Sequence, residues 1–78
     1  MNVDKYNKAF VEGLDIEEEK DIKHLKFNDI EEWDSIGHMS LMSALEDEFD
    51  ISLETDDIVD FSSYEKGIEI LKKYNVKI

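Results

Sequence analysis

Trp33-Asp34-Ser35-Ile36-Gly37-His38-Met39-Ser40-Leu41-Met42-Ser43-Ala44-Leu45-Glu46-Asp47-Glu48-Phe49 sets a carboxylate and a serine directly before a helical apolar pattern. Ile36, Met39, Met42, Leu45 and Phe49 recur at spacings of three, three, three and four, and Leu41 and Ala44 widen the same stripe, which predicts an amphipathic helix. Asp34 is the natural N-cap, because its carboxylate can accept from the free N–H groups of the first turn. The positive end of the helix dipole favours its charge by roughly 0.3–1 kcal/mol. Ser35 then opens the helix with an exposed hydroxyl, at a place where unpaired N–H groups also suit a phosphate oxygen. The plainer reading of the Asp-Ser pair alone is a cap and nothing more.

The longer run narrows the choice. Asp34-Ser35-Ile36, the hydrophobe Met39, Leu41-Met42, Ala44-Leu45-Glu46 and the acidic stretch ending in Phe49 together resemble the attachment segment of acyl carrier proteins. The resemblance implies that Ser35 receives a 4′-phosphopantetheine arm from coenzyme A through a separate phosphopantetheinyl transferase, with Asp34 as the helix cap beside it. Acyl cargo then rides on the arm's thiol as a thioester, in lipid metabolism such as fatty acid biosynthesis. The chain is expected to be a carrier and not an enzyme. Loading and transfer would fall to partner enzymes with basic docking patches, which would meet Ile36, Gly37, Ser40, Ser43, Glu46 and Asp47. Primary fatty acid carriers usually have acids where this chain has Gly37 and Ser40, and a hydrophobe where it has Ser43. That departure, with Trp33 and Ile36-Gly37-His38, points to a stand-alone carrier of a specialised pathway. The alternatives are a peptidyl or aminoacyl carrier with the same arm and, outside the class, an unmodified acidic helical adaptor.

Seventy-eight residues make one small domain over residues 1–78, with about 60% of the extended-chain surface buried and one modest core. No Cys is present, so neither a disulfide framework nor a thiolate metal site supplements that core. The 21 acidic residues against nine lysines give a net charge of −12, which repels phosphate backbones and anionic lipid and makes nucleic acid and membrane surfaces poor partners. Complexes with basic protein patches should form quickly and weaken with salt. No apolar run approaches a membrane span, and Met1-Asn2-Val3-Asp4-Lys5 lacks a signal-peptide core, so a cytoplasmic monomer is expected. An apolar content of 41% with clear periodicity argues for folding despite the acidity.

Val3, Tyr6, Phe10 and Leu14 predict a first helix over about residues 3–12, with Tyr6 and Phe10 inward and Gly13 as a left-handed C-terminal cap. Residues 15–32 read as a long loop with room for one short helical turn. Such a loop is unusual in a compact domain, but the resemblance implies one, pinned here by Leu25, Phe27 and Ile30. Asp50-Ile51-Ser52-Leu53-Glu54 alternates as a short extended connection. Thr55 caps a brief helix whose inner face is Ile58, Val59 and Phe61. Ser62 and Glu65 form a capping box for a last helix over about residues 63–74. Ile68, Leu71 and either Tyr64 or Ile70 turn inward there, and Gly67 marks a close approach. The expected fold is all-α: a small four-helix bundle of acyl-carrier type with a long first loop and a short third helix.

Ser35 and His38 share a helix face, which raises a serine-hydrolase reading with His38 as base. No third group orients the imidazole and no G-x-S-x-G elbow surrounds the serine, so that reading is rejected. His38 is instead expected in solvent beside the arm, and His24 in the surface or loop. The carboxylates of residues 46–50 and 54–60 lack the spacing and central Gly of an EF-hand loop, so no specific metal site is expected. Trp33 is read as core or loop packing. If cargo folds back into the bundle, Met39, Met42, Ile58 and Leu71 are the lining residues expected.

Overall fold

Four helices arise in the computed structural model, which describes residues 1–17 and 21–78: α1 (Asn2–Leu14), α2 (Ser35–Phe49), α3 (Thr55–Asp60) and α4 (Tyr64–Lys72). The part of the long loop at residues 18–20 lies outside the described residues. No strand occurs among those described, so the bundle is all-α, as the helical periodicities require.

α1 and α2 pack against each other at Gly13. A β-carbon there would lie 2.7 Å from the Leu41 Cα, so the α2 backbone occupies the space a side chain would need. Gly13 is therefore not the left-handed cap expected of it. The helix runs on through Leu14 and stops at Asp15, which takes the left-handed conformation with φ 54°. The Ile16 N–H then reaches back to the Val11 carbonyl. α2 ends in the same way at Asp50 (φ 53°), with the Ile51 N–H on the Glu46 carbonyl. Past α4, Asn75 (φ 66°) precedes Val76, whose N–H bonds the Leu71 carbonyl. Two helix stops thus use Asp followed by an apolar residue, and Asn75 turns the chain in the same way just beyond the Lys73 cap of α4. Short polar side chains tolerate this backbone, and the following hydrophobe seals the turn.

The core is an aromatic stack continued by aliphatic side chains. Tyr6 and Phe10 of α1 are buried as expected, 5.0 Å apart between ring centroids. Phe10 also meets Trp33 at 5.4 Å and Tyr64 at 5.1 Å, and Trp33 meets Phe61 at 6.5 Å. Leu41, Met42, Leu45 and Leu71 complete the interior. Gly67 is needed because a β-carbon would lie 2.1 Å from Phe61 Cζ and 2.2 Å from the Tyr6 hydroxyl oxygen. The close approach is thus to two aromatic rings from other elements. The Tyr6 hydroxyl donates to the Tyr64 carbonyl at 2.6 Å, which satisfies the one polar atom of that ring.

The long loop is held by Ile22 and Leu25, both buried, while Ile30 is half-buried and Phe27 remains 37% exposed. Its backbone is tied to the start of α4 by an antiparallel bridge: the Phe27 N–H donates to the Ser62 carbonyl (2.9 Å) and the Tyr64 N–H to the Leu25 carbonyl (3.0 Å). That bridge moves the cap. Ser63, not Ser62, accepts from the Lys66 N–H at 2.9 Å, so the expected box between Ser62 and Glu65 does not form. Both Tyr64 and Ile70 turn inward.

α3 departs furthest from expectation. Thr55 is its first residue and not its cap, which falls at Glu54 without a side-chain bond. The side chain it buries is Asp57, which accepts from the Lys73 ammonium and the Tyr74 hydroxyl. Tyr74 in turn accepts the Glu54 N–H at 3.0 Å. With Asp57 turned to the end of α4, Val59 two residues on points away and is 75% exposed, although it was expected inside. Ile58 is half-buried and Phe61 fully buried.

Candidate functional site at the head of α2

A turn closed by the Trp33 N–H on the Ile30 carbonyl (3.1 Å) delivers the chain to α2. Asp34 is extended, and its Oδ1 accepts from the Gly37 N–H at 2.8 Å, the N-cap expected of it. Ser35 is the first helical residue. It is exposed, and its hydroxyl takes part in no hydrogen bond among the described residues. The Ser35 oxygen is therefore free to react outward from a fixed backbone.

Around it lie the exposed apolar side chains. Ile36 is 82% exposed and Met39 54%, so neither belongs to the core stripe in which the periodicity placed them. The packed stripe runs through Leu41, Met42 and Leu45, and because steps of three residues drift by about 60° each around a helix, Ile36 lies on the far side of α2 from Leu45. Met39, Ile58 and Val59 border a groove of about 360 Å³ that opens beside Ser35. Phe27 and Phe61 line it as well.

His38 forms the inner wall of this groove. The Trp33 indole N–H donates to its Nδ1 at 2.8 Å, and its Nε2 lies 2.8 Å from the Ile58 carbonyl oxygen. An indole nitrogen only donates, so Nδ1 carries a lone pair and Nε2 the proton, which it gives to Ile58. His38 is thus not a solvated residue beside the arm but a strut between the Trp33 turn, α2 and α3. It offers no lone pair for a Ser35 proton, which removes the hydrolase reading on geometry as well as on motif.

The six positions expected to meet partners divide into two groups. Ile36, Ser40, Ser43 and Asp47 are exposed along one face of α2. Gly37 is half-buried, and a β-carbon there would sit 1.8 Å from the Glu32 carbonyl oxygen, so its place on the exposed face is corrected. Glu46 is half-buried too, its Oε2 accepting the Leu53 N–H at 2.8 Å and fixing the connection to α3. Met42 and Leu71, expected as cargo-lining residues, are packed in the core, whereas Met39 and Ile58 line the outer groove. Trp33 is fully buried. His24 is exposed in the loop. Sequence reasoning missed the ties made by His38 and Asp57, which link residues far apart in the chain.

Acyl carrier proteins of Buchnera aphidicola subsp. Acyrthosiphon pisum, from strains Tuc7 and APS, are each 32% identical to this chain over 74 residues, covering 95% of it and 92% of their own length. The chain belongs to the acyl carrier protein family. The corresponding protein of strain 5A is 31% identical over the same extent. No protein-family model matches the chain, and no solved structure matches it significantly. As a member of that family it is an acyl carrier and not an enzyme, and it works with acyl-handling enzymes. The family's prosthetic group is covalently attached 4′-phosphopantetheine. The head of α2 fits such a group: it presents a free serine oxygen at a capped helix start, with open space and apolar walls alongside. No helix among the described residues is long and apolar enough to cross a membrane.

Proposed function

We propose that Ser35 carries the 4′-phosphopantetheine arm and that residues 1–78 form a single monomeric carrier domain working in the cytoplasm. The observation that carries this reading is the free, exposed Ser35 hydroxyl at the Asp34-capped start of α2, bordered by exposed apolar side chains. A phosphopantetheinyl transferase joins the Ser35 oxygen to the phosphate of the pantetheine half of coenzyme A. The serine proton is lost and the nucleotide half departs. The arm's thiol then accepts acyl groups as thioesters, and partner enzymes load, change and remove them.

Partners with basic patches meet the exposed α2 face at Ser40, Ser43 and Asp47, and apolar side chains of the partner meet Ile36. With serines at two of these places the face has fewer anchors than an acid or a methionine would supply, which supports service to dedicated enzymes of a specialised pathway. The test is incubation with coenzyme A and several active transferases, followed by intact-mass measurement. Wild type should gain one arm and Ser35→Ala none, with helicity unchanged by circular dichroism. Modification that persists in Ser35→Ala, or wild type left unmodified by every transferase, contradicts the assignment and favours an unmodified adaptor.

A further inference from the structure

His38 stands between the groove beside Ser35 and the interior of the bundle. Both of its ring nitrogens are engaged, Nδ1 by the Trp33 indole and Nε2 by the Ile58 carbonyl, each at 2.8 Å. The ring lies nearly parallel to Trp33 (16°, centroids 6.1 Å apart) and meets Phe27 edge-on at 5.4 Å and Phe61 at 6.1 Å. Trp33 and Phe61 are themselves fully buried and run into Phe10. A path from the groove inward therefore meets the imidazole beside Phe61, with the close-packed rings of Trp33 and Phe10 behind them. A chain entering the α2–α3 seam would have to break both His38 bonds and leave an indole N–H and a carbonyl without partners.

We infer that His38 is a specificity-determining residue that closes the α2–α3 seam, so that this carrier takes short acyl or aminoacyl groups held outside the bundle and not long alkyl chains housed within it. This rests on the arm being attached at Ser35. The groove bordered by Met39, Ile58 and Val59 is then the surface on which the short group rests, open to solvent and to partner enzymes. His38 acts through Trp33 and Ile58 and needs no contact with the thioester.

The experiment loads acetyl, hexanoyl and decanoyl groups onto the arm of wild type, His38→Ala and His38→Gln, checks each by intact mass, and measures thioester cleavage by hydroxylamine. A group that spends nine-tenths of its time inside the bundle is cleaved about tenfold more slowly than one that stays outside. Wild type should cleave all three at similar rates, with the methyl resonances of Met42 and Leu71 unmoved by chain length. His38→Ala should slow decanoyl by about tenfold relative to acetyl and shift those methyls. His38→Gln should behave as wild type, because one side chain again supplies an acceptor for Trp33 and a donor for Ile58. Tenfold protection of decanoyl in wild type overturns the inference, whatever the folding of the variants. So does an alanine variant that is folded yet indifferent to chain length. An arm that never attaches to Ser35 is seen first, in the mass, and overturns the carrier-site reading along with this one.

Discussion

Gly37→Ala should damage the fold at the place where the carrier's chemistry is positioned. The added β-carbon would lie 1.8 Å from the Glu32 carbonyl oxygen, where ordinary contact begins near 3.4 Å, and the obstacle is backbone that no rotamer change can clear. Residues 32–34 would have to move, taking with them the 2.8 Å bond from the Gly37 N–H to Asp34. Forced overpacking costs about 1–3 kcal/mol and loss of an N-cap about 0.5–2 kcal/mol. Alanine returns about 1 kcal/mol through its helix propensity. The net is about 0.5–4 kcal/mol of destabilisation, and at 4–8 °C per kcal/mol for a domain of this size a middle value of about 2 kcal/mol lowers Tm by about 8–16 °C. Urea denaturation should show a lower midpoint at unchanged slope. Ser40→Ala, on the exposed face of the same helix, should stay within about 0.5 kcal/mol of wild type. A Gly37→Ala protein as stable as wild type would refute the reasoning, because it would show that the turn before α2 yields freely.

Acid should unfold the protein partly through Asp57. Hydrogen bonds from Lys73 and then Tyr74 hold its carboxyl below the usual range, so its stabilisation is complete above about pH 3.9. That stabilisation is lost as pH falls further, and Asp57→Asn should flatten the acid limb of a stability-pH curve. In the alkaline direction, burial pushes the phenols of Tyr6 and Tyr64 up, so stability should fall as pH rises beyond about 10, and Tyr64→Phe should reduce that slope in the same measurement. With a net charge of −12, Tm should rise with added salt and further with millimolar divalent cations, and a Tm indifferent to both would show that the charges are too widely spaced to matter. Ser40→Glu with Ser43→Met should raise acyl transfer by a general fatty acid acyltransferase at low salt. An exposed charge pair contributes about 0.2–1 kcal/mol, or up to about fivefold, and that part of the gain should shrink at moderate salt.

The features legible from sequence are those set by neighbours in the chain. Asp34 and Ser35 announce the start of α2 because a cap bonds within one turn, and Tyr6 and Phe10 announce the inner face of α1 because the helical period places them there. Gly13 misled because glycine is a strong stop signal, whereas here its lack of a side chain serves the α2 backbone. The real stops of α1 and α2, at Asp15 and Asp50, carry a subtler local signature, Asp followed by a hydrophobe, which Asn75-Val76 repeats just past α4. Ile36 and Met39 mislead because spacings of three drift by about 60° each around the helix, so the run that ends inside at Leu45 begins outside at Ile36, and Val59 misleads because its neighbour Asp57 takes the inner face of α3. The Ser63 cap depends on the loop backbone bonding Ser62, the His38 strut on a carbonyl in α3, and the burial of Asp57 on the end of α4. None of these long-range ties has a local pattern to announce it.

The most direct test of the carrier's working site is the intact mass of the protein purified from its own cells, followed by peptide mapping of α2. The mass should exceed that of the bare chain by one phosphopantetheine, with or without a short acyl group, and the added mass should map to the peptide containing Ser35. Bare chain throughout, or an arm mapped to any other serine, would contradict it.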